Sequence, residues 1–147
     1  MAGTGDLETA RRRSLLRPKT VVRPLRLLPS VAAPRSGREF TVGVCQDWQI
    51  DATAEVACLV ANELVRNVVV HCGTDCVLIL RLTEQGLFIE ARDYLPGPAP
   101  RPRPRVVGGP RRGLHVVANL ASHWDVSNHA DGKTVWALLP VNADPEV

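Results

Sequence analysis

Residues 54–71 read AEVACLVANELVRNVVVH, and this stretch decides the fold. Asp51 or Thr53 stands ready as a cap, Glu55 lies in the first turn and Gly73 follows the end, so the pattern predicts a helix from Ala54 to His71. Nearly every side of it is apolar, which places it within the body of a domain and not on its surface. At about 100° per residue, Glu63 and Asn67 fall about 40° apart, one turn from each other, with Val56, Val60, Leu59 and Val70 around them. A carboxylate and a carboxamide in an apolar arc need compensation, because a buried charge without a partner costs several kcal/mol (~3–5). The compensating group is either a protein partner, with Arg66 or Arg92 as candidates, or a bound ligand with its water.

Outward from this helix the chain alternates between strand and helix signals. VVRPLRLL (Val21–Leu28) reads as a strand, and Pro24 suits it to a sheet edge. Phe40, Val44 and Trp48 recur every four residues and predict a helix from Ser36 to Trp48, weakened at Gly43. CVLILRL (Cys76–Leu82) and LFIEARD (Leu87–Asp93) predict two strands around the turn TEQG. RGLHVVANLA (Arg112–Ala121) predicts a short helix, and WDVSN and KTVWALL predict a closing strand pair around HADG. Two antiparallel hairpins with the helices elsewhere imply an α+β fold: a two-layer sandwich of a mixed, mainly antiparallel sheet with helices on one face. Residues 1–20 read as a basic tail, residues 21–140 as the domain and residues 141–147 as a second tail. The segment 94–112 includes six prolines between Pro96 and Pro110, which excludes a central strand and reads as a lid-like loop.

The 147 residues allow one core. With 45% hydrophobic and 22% charged residues, the chain has the apolar content of a folded protein and not of a disordered one. The net charge of +3 hides two opposed parts. Residues 1–38 hold nine Lys/Arg and two acids, a sum of +7, whereas residues 39–147 hold nine Lys/Arg and thirteen acids, a sum of −4. The basic leader and RPRPR (Arg101–Arg105) lack the interleaved aromatics of a stacking platform, which argues against nucleic acid as the partner. No apolar run is long enough to span a membrane or to follow Arg11–Arg13 as a signal peptide, so the expected setting is soluble and cytoplasmic, with no membrane partner. Cys45 and Cys58 read as small core residues, and Cys72 and Cys76 as residues near a helix end. The C-x3-C spacing of the latter pair lacks a second pair of ligands for zinc.

Three further features bear on chemistry. Asp93 ends a strand, where a carboxylate can accept from an amine edge. Gly108-Gly109-Pro110-Arg111-Arg112-Gly113-Leu114 leads into a helix whose free N–H groups, with two arginines, suit an anion. Gly132-Lys133-Thr134 opens the last strand.

Taken in order, Glu63-x3-Asn67 with His71, then Asp93, then the glycine loop before a helix, then Gly132-Lys133-Thr134 resembles the GHKL (Bergerat-fold) ATP-binding group, which includes histidine kinases and gyrase. The stretches ANELVRNVVVHCGTDCVLILRL and GLHVVANLASHWDVSNHADGKTVWALL are similar to its short anti-sigma-factor serine kinase branch from actinobacteria. The resemblance covers residues 21–140 and implies the Bergerat form of the two-layer fold. It implies that Glu63 orients or deprotonates the attacking hydroxyl. It gives Asn67 to Mg²⁺ and Asp93 to the adenine amino group, with Thr134 nearby through a water. His71 belongs to the same nucleotide-binding set, as do Arg112, Gly113 and Leu114 at the phosphates, and the segment 94–112 is the lid over ATP. The implied activity is serine/threonine protein kinase transfer from Mg²⁺–ATP to a small anti-anti-sigma-type protein, sequestration of a sigma factor, or both, with a homodimer as the implied assembly. Leu95 and Arg111 stand where the family keeps small residues, which supports the alternative of a catalytically weak or inactive partner-binding module of the same fold.

Overall fold

The computed structural model describes residues 20–94 and 109–141, with His71 and residues 109–113 described by their backbone alone. Five strands and three α-helices follow in the order β1 (Val21–Leu27), α1 (Ala33–Asp47), α2 (Ala54–His71), β2 (Cys76–Thr83), β3 (Gly86–Arg92), α3 (Gly109–Leu120), β4 (His123–His129) and β5 (Gly132–Leu139), with a 3₁₀ turn at Asp51–Thr53 before α2. The strands form one open sheet in the order β1-β2-β3-β5-β4. All four pairings are antiparallel, so the expectation of a mixed sheet is corrected to a purely antiparallel one. The α+β class holds: each neighbouring pair within β2–β3 and β4–β5 closes through a short turn, which antiparallel geometry permits without a crossover helix.

Alternation along the strands separates two faces. Leu78 and Leu80 of β2, Leu87, Ile89 and Ala91 of β3, and Val135, Ala137 and Leu139 of β5 lie on one face and are buried. The register keeps them together, pairing Leu80 with Ile89 and Ile89 with Ala137. Ala57, Val60, Ala61, Leu64, Val65 and Val68 of α2 form the opposing half of this core, joined by Val44 and Cys45 of α1 and Val117 of α3. The opposite face carries Ile79, Arg81, Phe88, Glu90, Arg92, Thr134 and Trp136 and is left open along a shallow groove.

Both edges of the sheet are explained by their residues. β1 is an edge strand, and Pro24, which cannot donate to a ladder, pairs opposite Ile79 at that edge. Arg23 on the same strand reaches Asp47 at the end of α1 and stacks over Trp48. The other edge, β4, is exposed along its whole length.

Two helices begin earlier than their sequence periodicity predicts. α1 starts at Ala33, with Pro34 in its first turn, and not at Ser36. α3 starts at Gly109, ahead of Pro110, and ends at Leu120, where the pattern predicted Arg112 to Ala121. The physical reason is shared: the fixed φ of proline and its missing N–H are compatible with the first turn of a helix, so neither proline acts as a barrier there. The buried stripe of α1 is Ala33, Gly37, Thr41, Val44 and Cys45. Phe40 and Trp48, which set the predicted period, are only half-buried at its margin. Gly37 matters here because a Cβ at that point would lie 3.4 Å from both Leu78 and Val65, so the small residue lets α1 approach β2 and α2 together.

The asymmetry of α2 yields a stability test. Leu64 is fully buried, whereas Leu59 on the same helix is half exposed. Leu64→Ala is expected to lower the unfolding free energy by about 3 kcal/mol, and Leu59→Ala by less than about 1 kcal/mol. Urea titration followed by circular dichroism checks both; equal losses would contradict the placement of α2.

Candidate functional site

α2 packs against the sheet, α1 and α3. The buried stripe faces the sheet. One flank receives α1: Val65 lies beside Gly37, and Cys58 Sγ approaches the Arg38 carbonyl at 3.7 Å. The opposite flank carries Val56, Leu59, Glu63, Asn67 and Val70, where Leu59 and Val70 are exposed and Glu63 and Asn67 half-buried. The two polar residues therefore stand at the border of the buried stripe, not in the middle of it. This corrects the expected position, and the reason is the width of the arc that a single sheet covers.

Neither Glu63 nor Asn67 makes a hydrogen bond or ion pair among the described residues. Neither of the two arginines that could have closed an internal network pairs with them. Arg66 is exposed on another side of α2, and Arg92 donates to Asp131 at 2.9 Å. The polar pair is thus held at fixed helical spacing, with its polar atoms not enclosed in the core.

A second element of the site forms where β3 ends. Asp93 has no exposed surface. Its N–H donates to the Lys133 carbonyl at 2.9 Å, and its Oδ1 accepts the Lys133 N–H at 3.0 Å. The Cys72 thiol donates to Oδ2 at 3.5 Å. Tyr94 N–H donates to Thr74 Oγ1 at 3.3 Å, so the strand end is also tied to the turn after α2. Gly132 is required at this point, because a Cβ there would overlap the Asp93 carbonyl oxygen. The structure thus brings together Asp93 and the Gly132-Lys133 backbone, two features far apart in sequence.

Thr134 is not brought to Asp93. It lies on the open face of the sheet, in register with Arg92 and Ser127, and its Oγ1 is 2.9 Å from His129 Nε2. The signal for this was present in KTVWALL: Val135, Ala137 and Leu139 share the inner face, so period-2 alternation puts Lys133, not Thr134, on the helix side. His71 is the last residue of α2. Arg112, Gly113 and Leu114 lie in α3, and Leu114 packs against the core. Since α3 begins at Gly109 and not at Arg112, its unpaired N–H groups belong to its first turn, and Gly113 lies beyond that turn within the helix. Residues 95–108, most of the expected lid, lie outside the described residues, as do residues 1–19 and 142–147.

No group of three or more His, Cys, Asp or Glu side chains suited to a metal ion occurs among the described residues. Asn67 is a single oxygen donor, which fits a magnesium ion only if phosphate and water supply the remaining positions. No helix among the described residues is long and apolar enough to cross a membrane. The cysteines are free thiols. Burial pushes Cys76 up to about 12, with Asp93 and Cys72 adding to the effect. Burial likewise pushes Cys45 up to about 11. The sequence reading missed Cys72 as a neighbour of Asp93, because nothing in HCGTDC reveals that the turn after α2 folds back onto the end of β3.

These thiols set a pH dependence. Cys76 stays neutral in the folded chain above its ordinary value of 9.0, so its contribution to stability is full below about pH 9 and is lost as pH rises toward 12. The stability advantage of the native chain over Cys76→Ala is therefore expected to hold at neutral pH and to shrink through that window. Denaturant titrations of both proteins at a series of pH values measure it, and an advantage that grows with pH would refute the assignment.

No protein-family model matches this chain, and no curated protein matches it.

Proposed function

We propose that this chain is an ATP-binding regulatory protein of the Bergerat type, acting as a serine/threonine protein kinase of the anti-sigma kind. It transfers phosphate to a small anti-anti-sigma-type protein, sequesters a sigma factor, or does both. The observation that carries this reading is Glu63 and Asn67, one turn apart on the flank of α2 away from α1 and without protein partners among the described residues. A carboxylate and a carboxamide one turn apart, open beside exposed apolar residues, are placed to meet a metal–phosphate ligand and an attacking hydroxyl.

Each described residue then has a chemical task. Asp93, anchored through Oδ1 on the Lys133 N–H, presents a carboxylate to an exocyclic amine. Gly132 keeps the β5 backbone close enough for that anchor. Asn67 offers its amide oxygen to Mg²⁺, which when bound neutralises charge on the phosphates. Glu63, on the same helix, accepts the proton of a serine or threonine hydroxyl or orients that hydroxyl toward the γ-phosphorus. Catalysis on this plan rests on positioning and electrostatics, as phosphoryl transfer generally does. Lys133, which alternates with the buried Val135 and Ala137, takes the place on this reading that the resemblance gives to Thr134.

A second reading is favoured by Leu95 and Arg111, which stand where the resembled family keeps small residues. In that reading the fold binds partner proteins, as a homodimer or otherwise, with weak or no phosphoryl transfer.

Titration calorimetry with ATP and Mg²⁺, paired with transfer of labelled phosphate to candidate partners, tests the proposal. Glu63→Ala is expected to lower transfer by at least about 100-fold while leaving ATP affinity within about twofold. Asn67→Ala is expected to weaken Mg²⁺-dependent binding by about tenfold or more. Binding without transfer in the native chain selects the second reading. Absence of ATP binding overturns both nucleotide readings, and undiminished transfer in Glu63→Ala removes the proposed base.

A further inference from the structure

The two edges of the sheet are built differently. β1 carries Pro24, Arg23 and Arg26, and the two arginines pair with Asp47 and Asp75. Proline and charge on an edge strand keep a second strand from adding to it. β4 reads HWDVSNH, with neither proline, lysine nor arginine, and is exposed along its whole length. An edge of that composition is open to a further strand.

The phase of the ladder decides what this edge presents. The Lys133 carbonyl accepts from the end of β3, so Lys133, Val135 and Ala137 bond toward β3, and Thr134, Trp136 and Leu138 toward β4. Their opposites on β4 are Ser127, Asp125 and His123, which leaves the backbone groups of Trp124, Val126 and Asn128 directed outward. Consistent with this, the Val126 N–H donates to Asp125 Oδ1 at 2.7 Å. Trp124 and Val126 stand on the helix face, opposite Ala137 and Val135, and both are exposed. Asp125 and Ser127 stand on the open face, opposite Trp136 and Thr134. The Ser127 hydroxyl has no partner among the described residues.

The order HWDVSNH is nearly symmetrical about Val126. Laid antiparallel on a copy of itself about that residue, it sets Val126 opposite Val126, Trp124 opposite Asn128 and Asp125 opposite Ser127. The outward backbone groups then meet in register, and its one carboxylate faces a hydroxyl donor and not a like charge.

We propose that β4 is a self-pairing edge: two copies of the chain join antiparallel about Val126 into one continuous sheet. Asp125 is the latch of this contact. In the single chain its carboxylate covers the Val126 N–H. In the pair it accepts from the Ser127 hydroxyl of the second copy and releases that N–H to the Val126 carbonyl of the second copy. Asp125 and Ser127 then form a non-hydrogen-bonded pair of the ladder, where side chains stand closest. Trp124 lies diagonally across from Val126 of the second copy and covers it. A two-fold axis repeats each contact. The pairing needs no nucleotide and stands whether or not the chain binds one.

Sedimentation velocity of the full chain over a concentration series tests it, with Ser127→Asp, Ser127→Lys and Val126→Lys as variants. The native chain is expected to dimerise. Ser127→Asp sets like charges opposite each other at two symmetric points and is expected to weaken the dimer roughly threefold to thirtyfold. Ser127→Lys sets opposite charges there and is expected to strengthen it by a similar factor. Val126→Lys brings two lysines together at the axis and is expected to weaken the dimer by at least about tenfold, with the circular dichroism of the native fold retained. The two Ser127 variants change one exposed side chain, so effects of opposite sign do not follow from altered folding. A native chain that stays monomeric throughout the series overturns the proposal. A dimer that responds alike to Ser127→Asp and Ser127→Lys, or is untouched by Val126→Lys, is joined elsewhere and overturns it too.

Discussion

A helix lying on one sheet can bury only part of its circumference, and that limit governs this molecule. α2 presents Ala57, Val60, Ala61, Leu64, Val65 and Val68 to the sheet and surrenders one flank to α1. The remaining flank still holds Leu59 and Val70, which are exposed although apolar. Burial of the stripe fixes the rotation of the helix about its axis, and Glu63 and Asn67 have no freedom to turn elsewhere. Their direction is thus a consequence of core packing. Arg66, three positions after Glu63, is exposed, and the two form no ion pair among the described residues.

The same sheet sets the position of Asp93. Leu87, Ile89 and Ala91 are buried on the inner face of β3, and the alternation carries on past the end of the strand to put Asp93 inward too. A carboxylate at that depth is tolerable only with donors, and the molecule supplies them from two other parts of the chain: the first residues of β5 and the end of α2. Gly132 makes the β5 contribution possible, since any side chain there would collide with the backbone of Asp93. What reads as an ordinary turn residue in DGKTV is a packing requirement imposed by a residue about forty positions earlier.

How far the sequence revealed this depends on the range over which each feature is determined. The strand pair Cys76–Thr83 and Gly86–Arg92, the helix Ala54–His71 and the edge role of Pro24 follow from local pattern, and all were legible. Glu63 and Asn67 stood out because polar residues within an apolar arc break a local rule. The starts of α1 and α3 were misread because Pro34 and Pro110 look like stops, although a first helical turn accepts them. Thr134 entered the nucleotide set through the resemblance alone, whereas the alternation in KTVWALL gives it to the open face of the sheet. Cys72 could not be found by any local rule, because its relation to Asp93 exists only after the turn at Gly73 folds back on β3.

These points converge on a division of labour between main chain and side chains. The parts of the site that must not move are held by backbone: the Lys133 N–H on Asp93 Oδ1, the Gly132 contact and the helical spacing of Glu63 and Asn67. Glu63 and Asn67 are polar side chains of α2 without a partner among the described residues. Backbone bonds cannot be exchanged without loosening the sheet. On the proposed function, this arrangement keeps the site's geometry without a ligand and leaves Glu63 and Asn67 open to meet one, which is what preorganisation requires.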